Sequence, residues 1–184
     1  MGRLARWSRS LPTLVLLNAA LVSAAVGIGG QTGALSGDSV LTGVRTIRPV
    51  VVERTRWQHA SHILRGNLGV VGGLLAGICT LGGLTVLTLL WNAYVLGHGL
   101  SVLGHATPEA VPLVLRYALL EFSSFVLVAS VAEHLVGTVL RCLVASEPPQ
   151  FAAGLLTLVV AIAMLTVAAL IEADVAQLVA GASL

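Results

Sequence analysis

Three side chains capable of acid–base chemistry lie in one apolar stretch, RYALLEFSSFVLVASVAEHLVGTVLR, which runs from Arg116 to Arg141. They are Glu121, Glu133 and His134. A charged group at membrane depth costs roughly 3 kcal/mol even on the lenient insertion scale, so a carboxyl group there is paired, protonated or in contact with water. In such surroundings a carboxyl or imidazole group can accept or donate a proton. We therefore take these three residues as candidate catalytic residues.

The three candidates do not form one compact site on their own helix. At 100° per residue, Glu121 is offset from Arg116 by about 140°, and Glu133 lies on another flank. Their partners must therefore come from other helices. The candidate binding residues are Asn67, Asn92, Tyr94 and His98, together with Arg116 and Tyr117 beside Glu121.

Two interpretations of these polar groups are open. In the first, Glu121, Glu133 and His134 line a path for a substrate or for protons. In the second, neutral or paired carboxyl groups bond to Asn or Tyr side chains across packed helices. The two carry equal weight for Glu121, whereas Glu133 and His134 lie near the far end of the helix, where an interfacial position is expected.

The composition requires a membrane to surround these residues. The chain is 57% hydrophobic and only 10% charged, with a mean hydropathy of +0.96, whereas soluble domains carry about 25% charged residues. A chain so poor in charge cannot cover a surface that faces water, so its partner is the lipid bilayer. The net charge of +2 is too small to indicate binding to nucleic acid.

The apolar runs predict an all-α fold, a polytopic helical bundle that forms a single membrane domain over 1–184. We expect about five transmembrane helices, or four if the run 66–106 crosses the membrane once. The runs are 11–30, 66–106, 107–144 and 151–171. The first is longer than the apolar core of a typical signal peptide, which favours a retained first transmembrane helix over a cleaved leader. The polar segment 31–65 is expected to be a loop or an interfacial helix.

Three glycines recur every four residues in the second run. Gly69, Gly73 and Gly77 therefore share one face of a helix. In lipid, such a face lets the backbone of another helix approach closely. The pattern predicts helix packing and carries no chemistry.

Motifs of known enzymes are missing from the chain. The sequence contains no HExxH zinc motif, no GxSxG nucleophile elbow and no P-loop. Glu133 and His134 are adjacent and point about 100° apart on a helix, which does not suit a shared metal ion. We therefore expect no metal site and no cofactor.

An ordered set of short motifs runs from Asn67 to about Leu143. It consists of Asn67, a glycine-rich helix ending in GICTLGG, then WNAYVLG with Asn92 and Gly97, then LRYALLEF with Glu121. In this set the chain resembles the stage II sporulation protein M family of bacterial membrane proteins. The resemblance implies a helical bundle over 66–172 that acts as a component of a larger membrane assembly.

Two functional hypotheses follow. The first is a scaffold or partner-binding subunit of a bacterial membrane assembly, in which the partner is another integral membrane protein or a second copy of the chain. The second is a catalytic or co-catalytic subunit with Glu121 as acid and base, which modifies a peptide by isomerisation, epimerisation or cleavage in natural-product maturation, or acts on a lipid. The use of arginine for every basic residue is typical of a GC-rich bacterial genome, so the expected location is the bacterial cytoplasmic membrane. A transporter is a weaker match, because no inverted repeat is visible.

Overall fold

A computed structural model describes residues 11–44, 55–146 and 151–181, with side chains described within 11–35, 55–146 and 151–177. Every element in the described ranges is helical, which confirms the all-α prediction. The helices are α1 (Leu11–Val44), α2 (Arg56–Ala76), α3 (Gly83–Ala106), α4 (Val111–Ala145) and α5 (Ala152–Gly181), and short 3-10 turns at Gly77–Thr80 and Pro108–Ala110 precede α3 and α4. All five helices are long and apolar enough to cross a membrane. The run 66–106 contains most of α2 and all of α3, so the count of five, and not the fallback of four, is confirmed.

The first two helices are longer than the sequence indicated. Helix α1 continues to Val44, beyond the expected end near residue 30, because no proline interrupts the chain there. Helix α2 begins at Arg56 and takes in the last part of the segment 31–65, for which the sequence predicts a loop or an interfacial helix; residues 45–54 of that segment lie outside the described residues. A capping box starts α2, since Thr55 Oγ1 accepts from the Gln58 amide and Gln58 Oε1 accepts from the Thr55 amide.

A tight connection joins α2 to α3. Leu81 and Gly82 both adopt positive φ values, 54° and 93°, which turn the chain back. Four residues before Leu81, Gly77 packs against Thr85, and a Cβ at Gly77 would overlap the Thr85 side chain. This close approach lets the fully buried Thr85 hydroxyl donate to Leu74 O at 2.7 Å.

Helices α1 and α3 run parallel and pack more extensively than any other pair. Gly29 lies against Tyr94 and His98, and Gly33, one turn later, lies against His98 and Ser101. Gly97 in turn lies against the backbone of Val26. Because glycines meet backbone on both sides, the two helices approach as closely as small-residue seams allow in membranes. We call Gly29, Gly33 and Gly97 the α1–α3 seam.

A single apolar core joins the remaining helices. Its buried members come from α2 to α5 and are Val71, Leu74, Leu89, Phe125, Val128, Ala129, Ala161 and Leu165. Phe122 packs edge-on against Phe125 with ring centroids 5.5 Å apart. Since the core occupies the middle of α4, it divides the polar residues of that helix into an upstream and a downstream group.

The two ends of the bundle differ in their charges. At the first end, which we call the Asp174 end, α2 begins and α5 ends. There the Arg56 guanidinium forms an ion pair with the Asp174 carboxylate through Nε at 2.5 Å and Nη2 at 2.8 Å. At the other end, the Arg141 end, α4 finishes and Arg141 Nη2 donates to Thr138 Oγ1 at 3.2 Å. The ion pair is about half exposed, so its contribution to the stability of the fold is small, at most about 1 kcal/mol.

Candidate functional site

Glu121 lies in a polar cluster that three helices build near the Asp174 end. Tyr117 precedes it by one turn of α4 and shares its face. Glu172 of α5 is close enough for its charge to act on both Glu121 and Tyr117. The side-chain amide of Asn67, from α2, also approaches the Glu121 carboxyl group. We call these four residues the Glu121 cluster.

The fold explains why these residues meet. Helices α4 and α5 form an antiparallel hairpin, so the first part of α4 faces the last part of α5. Helix α2 packs on both of them and brings Asn67 to the same level. Below the cluster lies the apolar core, because Ser124 and Phe125 on the next turn are both buried. The cluster is therefore closed on the side that faces the middle of α4.

The cluster brings together groups that exchange protons and bind donors. Two carboxyl groups and a phenol lie within interaction range of one another, and Asn67 Nδ2 is buried without a hydrogen bond of ordinary geometry. Such a set can hold and pass on a proton, or bind a group that donates hydrogen bonds. In the described residues no set of three or more His, Cys, Asp and Glu side chains is arranged to hold a metal ion.

Glu133 and His134 belong to a different cluster, which lies between α1 and α4. Asn18 of α1 is fully buried there, and its Nδ2 donates to Ser130 Oγ at 3.1 Å and to Glu133 Oε2 at 3.3 Å. At 1.5 Å per residue, Glu133 lies about 18 Å from Glu121 along the axis of α4. The three candidate catalytic residues therefore divide between two places in the molecule.

The other candidate binding residues make contacts that do not involve Glu121. Asn92 Nδ2 donates to Thr88 O of its own helix at 2.8 Å. Tyr94 Oη accepts from Thr32 Oγ1 of α1 at 3.1 Å, and the Tyr94 ring stacks on His98 at 6.2 Å. His98 Nδ1 is buried without a partner, and Arg116 is exposed. Of the six expected binding residues, only Asn67 and Tyr117 come to Glu121.

Sequence reasoning missed two members of these clusters. Glu172 follows the apolar run 151–171 directly, and a carboxyl group at the end of such a run can face a neighbouring helix as well as water. Asn18 lies within the first apolar run, LPTLVLLNAALVSAAV, and is the one residue there with an amide side chain. That amide was the available signal, since a polar side chain in a membrane helix usually faces another helix.

The three glycines predicted to share a packing face have three different surroundings. Gly77 is buried against Thr85, and Gly73 lies 3.5 Å from the Thr88 methyl group of α3 at the position of a Cβ. Gly69 has no atom within 4 Å at that position and is exposed. The last part of α2, with Gly73 and Gly77, therefore faces α3, whereas Gly69 faces outward.

Gly69 belongs to a long exposed strip, which we call the outer face of α2. At 100° per residue its members fall within about 100° of one another, and all of them are exposed. The members of this strip are Gln58, Ser61, His62, Arg65, Gly69, Gly72 and Ala76. No member is a large apolar residue; the exposed Leu68 lies beside the strip.

The outward side of α5 has the opposite character. Its exposed residues are large and apolar, as lipid contact requires: Leu155, Leu156, Val159, Val160, Ile162 and Val167.

Comparisons of the chain with protein-family models, with curated proteins and with solved structures found no match.

Proposed function

We propose that this multi-pass membrane protein is a subunit of a larger membrane assembly and that it binds its partner protein through the outer face of α2. The observation that carries the proposal is the composition of this face. A helix surface that faces lipid is covered by large apolar side chains, as on α5. The outer face of α2 instead combines small and polar residues, the composition of a surface that contacts another helix.

The proposed partner is a transmembrane helix that carries a carboxyl group. Arg65 is exposed although it lies within the membrane-spanning part of α2. A charge in that position needs an opposite charge or a headgroup. One and two turns further on, Gly69 and Gly72 leave room for the backbone of the partner. An acidic residue facing Arg65, next to an apolar stretch against the glycines, meets both requirements.

The polar residues inside the bundle support a structural role for the rest of the chain. Asn18, Thr32 and Thr85 each bond across two helices. These bonds connect α1 to α4, α1 to α3 and α3 to α2, and they leave the outer face of α2 for the partner. The resemblance to the stage II sporulation protein M family, whose members act within larger assemblies of the bacterial cytoplasmic membrane, points to the same role and location.

The test is the mass of the assembly that the protein forms in its native membrane. We expect Gly69→Leu to release the protein from a high-mass complex on native gels, because leucine fills the space that the partner occupies. The matched control is Gly99→Leu, since Gly99 is also exposed and also has no atom within 4 Å. A complex that survives Gly69→Leu, or that Gly99→Leu disrupts equally, would contradict the proposal.

A second candidate function rests on the Glu121 cluster. The closeness of Glu172 and Tyr117 to Glu121 favours a proton-transfer site that serves a membrane enzyme complex, with Glu121 as acid and base acting on a peptide or a lipid. Glu121→Gln then abolishes activity while the complex stays intact, with the exposed Glu109→Gln as control. If Glu121 only joins helices, the Gln variant keeps full function and Glu121→Leu weakens the fold.

A further inference from the structure

The buried Asn18 side chain has one polar atom without a partner. Its Nδ2 serves both Ser130 Oγ and Glu133 Oε2, which lie on the same side of the amide. Its Oδ1 accepts no hydrogen bond from any residue that the structure describes, although Asn18 is 0% exposed. Turning the amide over exchanges the two atoms and leaves Nδ2 unpaired instead. In either orientation, an unpaired buried amide atom costs about 1–3 kcal/mol.

The neighbouring hydroxyl group does not remove this cost. Ser130 is also 0% exposed, and its proton is already donated to Val126 O at 2.7 Å. Its oxygen accepts the bond from Asn18. A ligand that donates to Asn18 Oδ1 must therefore come from outside the described side chains.

A line of polar groups leads from Asn18 to the Arg141 end. Ser130, His134 and Thr138 recur every four residues and share one face of α4. His134 Nε2 is buried and has no partner within the described ranges, and Thr138 is 2% exposed and accepts from Arg141. Two unpaired atoms, one on Asn18 and one on His134, thus lie along a single polar line that ends at the surface.

We propose that this polar line is a water-binding pocket between α1 and α4, which opens at the Arg141 end and holds ordered water against Asn18 and His134. Water is the ligand class that fits, because it is small and both donates and accepts hydrogen bonds. It supplies a donor to Asn18 Oδ1 and bonds His134 Nε2 in either tautomer of the ring. The pocket is separate from the proposed docking surface on α2.

The pocket brings water beside Glu133 within a membrane-spanning helix. The buried residues Phe125, Val128 and Ala129 close it from the Glu121 cluster on the other side of the core. The pocket and the Glu121 cluster thus lie on opposite sides of a buried apolar barrier. Helix α4 carries one carboxyl group on each side of this barrier.

Water-edited solid-state NMR of the protein in bilayers tests the pocket. The chain contains three asparagines and three phenylalanines, so labelling these two residue types gives few signals, which Asn18→Leu and Phe125→Leu assign. Asn18 and Phe125 are both buried. We expect magnetisation from water to reach the Asn18 side chain several-fold faster than the Phe125 ring. Equal transfer to both would overturn the proposal.

A second variant tests the route of entry. Thr138→Leu fills the polar line between the pocket and the Arg141 end, so we expect several-fold slower transfer to Asn18. The control is Thr166→Leu, because Thr166 is exposed on α5. Transfer that is unchanged in Thr138→Leu would overturn entry from the Arg141 end. The rates for Asn18 and Phe125 are compared in the wild-type protein, so that comparison does not depend on the folding of Thr138→Leu.

Discussion

Two glycine surfaces of this protein look alike in sequence and differ in what covers them. In the α1–α3 seam, the glycines lie against the backbone of a neighbouring helix. On the outer face of α2, Gly69 and Gly72 have no atom within 4 Å at the position of a Cβ. Glycine thus allows close contact between two helices in the α1–α3 seam, whereas it leaves open space on the outer face of α2.

The difference indicates what the open surface is for. Glycine in a helix interior destabilises the helix by roughly 0.5–1 kcal/mol relative to alanine. Close packing against α3 offsets this cost in the α1–α3 seam. At Gly69 and Gly72 of α2 no contact with the described part of the chain offsets it, which is the expected state of a surface that a partner helix covers.

Gly97→Leu gives the largest expected effect. A Cβ at Gly97 overlaps the Val26 backbone, so α1 must move away from α3 and loses most of its packing. We expect a loss of at least about 3 kcal/mol in the free energy of unfolding, or no folded protein in the membrane. Denaturation in detergent micelles measures it. Gly99→Leu, two residues away on the exposed side of α3, should stay close to the wild type.

Gly77→Ala gives an intermediate effect. The added methyl group overlaps Thr85 and breaks the bond from Thr85 to Leu74 O. We expect a loss of about 1–3 kcal/mol in the free energy of unfolding. If Gly77→Ala were as stable as the wild type in the same denaturation measurement, the close α2–α3 connection would be incorrect.

Gly69→Ala gives the smallest effect, and its sign is reversed. The methyl group meets open space, and alanine favours the helix, so the isolated protein should gain about 0.5–1 kcal/mol. Thermal unfolding of the purified chain, beside Gly77→Ala, measures the contrast. A destabilised Gly69→Ala in the isolated protein would mean that this position is already covered within the chain.

The sequence predicts the fold well because long apolar runs identify the membrane helices. The five crossings follow from runs such as that of α5, where a hydrocarbon core requires about 20 apolar residues. Boundaries are harder, because a helix can continue into water. Helix α1 extends past Gln31, and the start of α2 at Arg56 depended on the capping pair Thr55 and Gln58.

The sites were less predictable, because they depend on how helices turn toward one another. Spacing within α4 shows that Glu121 and Glu133 diverge, but it cannot show that Glu172 faces the first and Asn18 the second. For the same reason, the regular spacing of Gly69, Gly73 and Gly77 suggested one face. The structure instead divides it between α3 and the exterior.

The most direct test of the central claim is site-specific photocrosslinking in native membranes. A photoreactive residue at Leu68, beside the outer face of α2, is compared with one at Leu156 on the apolar side of α5; both positions are exposed. We predict a protein adduct of one discrete mass from position 68 that is lost in Gly69→Leu and in Arg65→Glu, and no such adduct from position 156. The absence of an adduct at position 68, or an adduct that persists in both variants, would contradict the account.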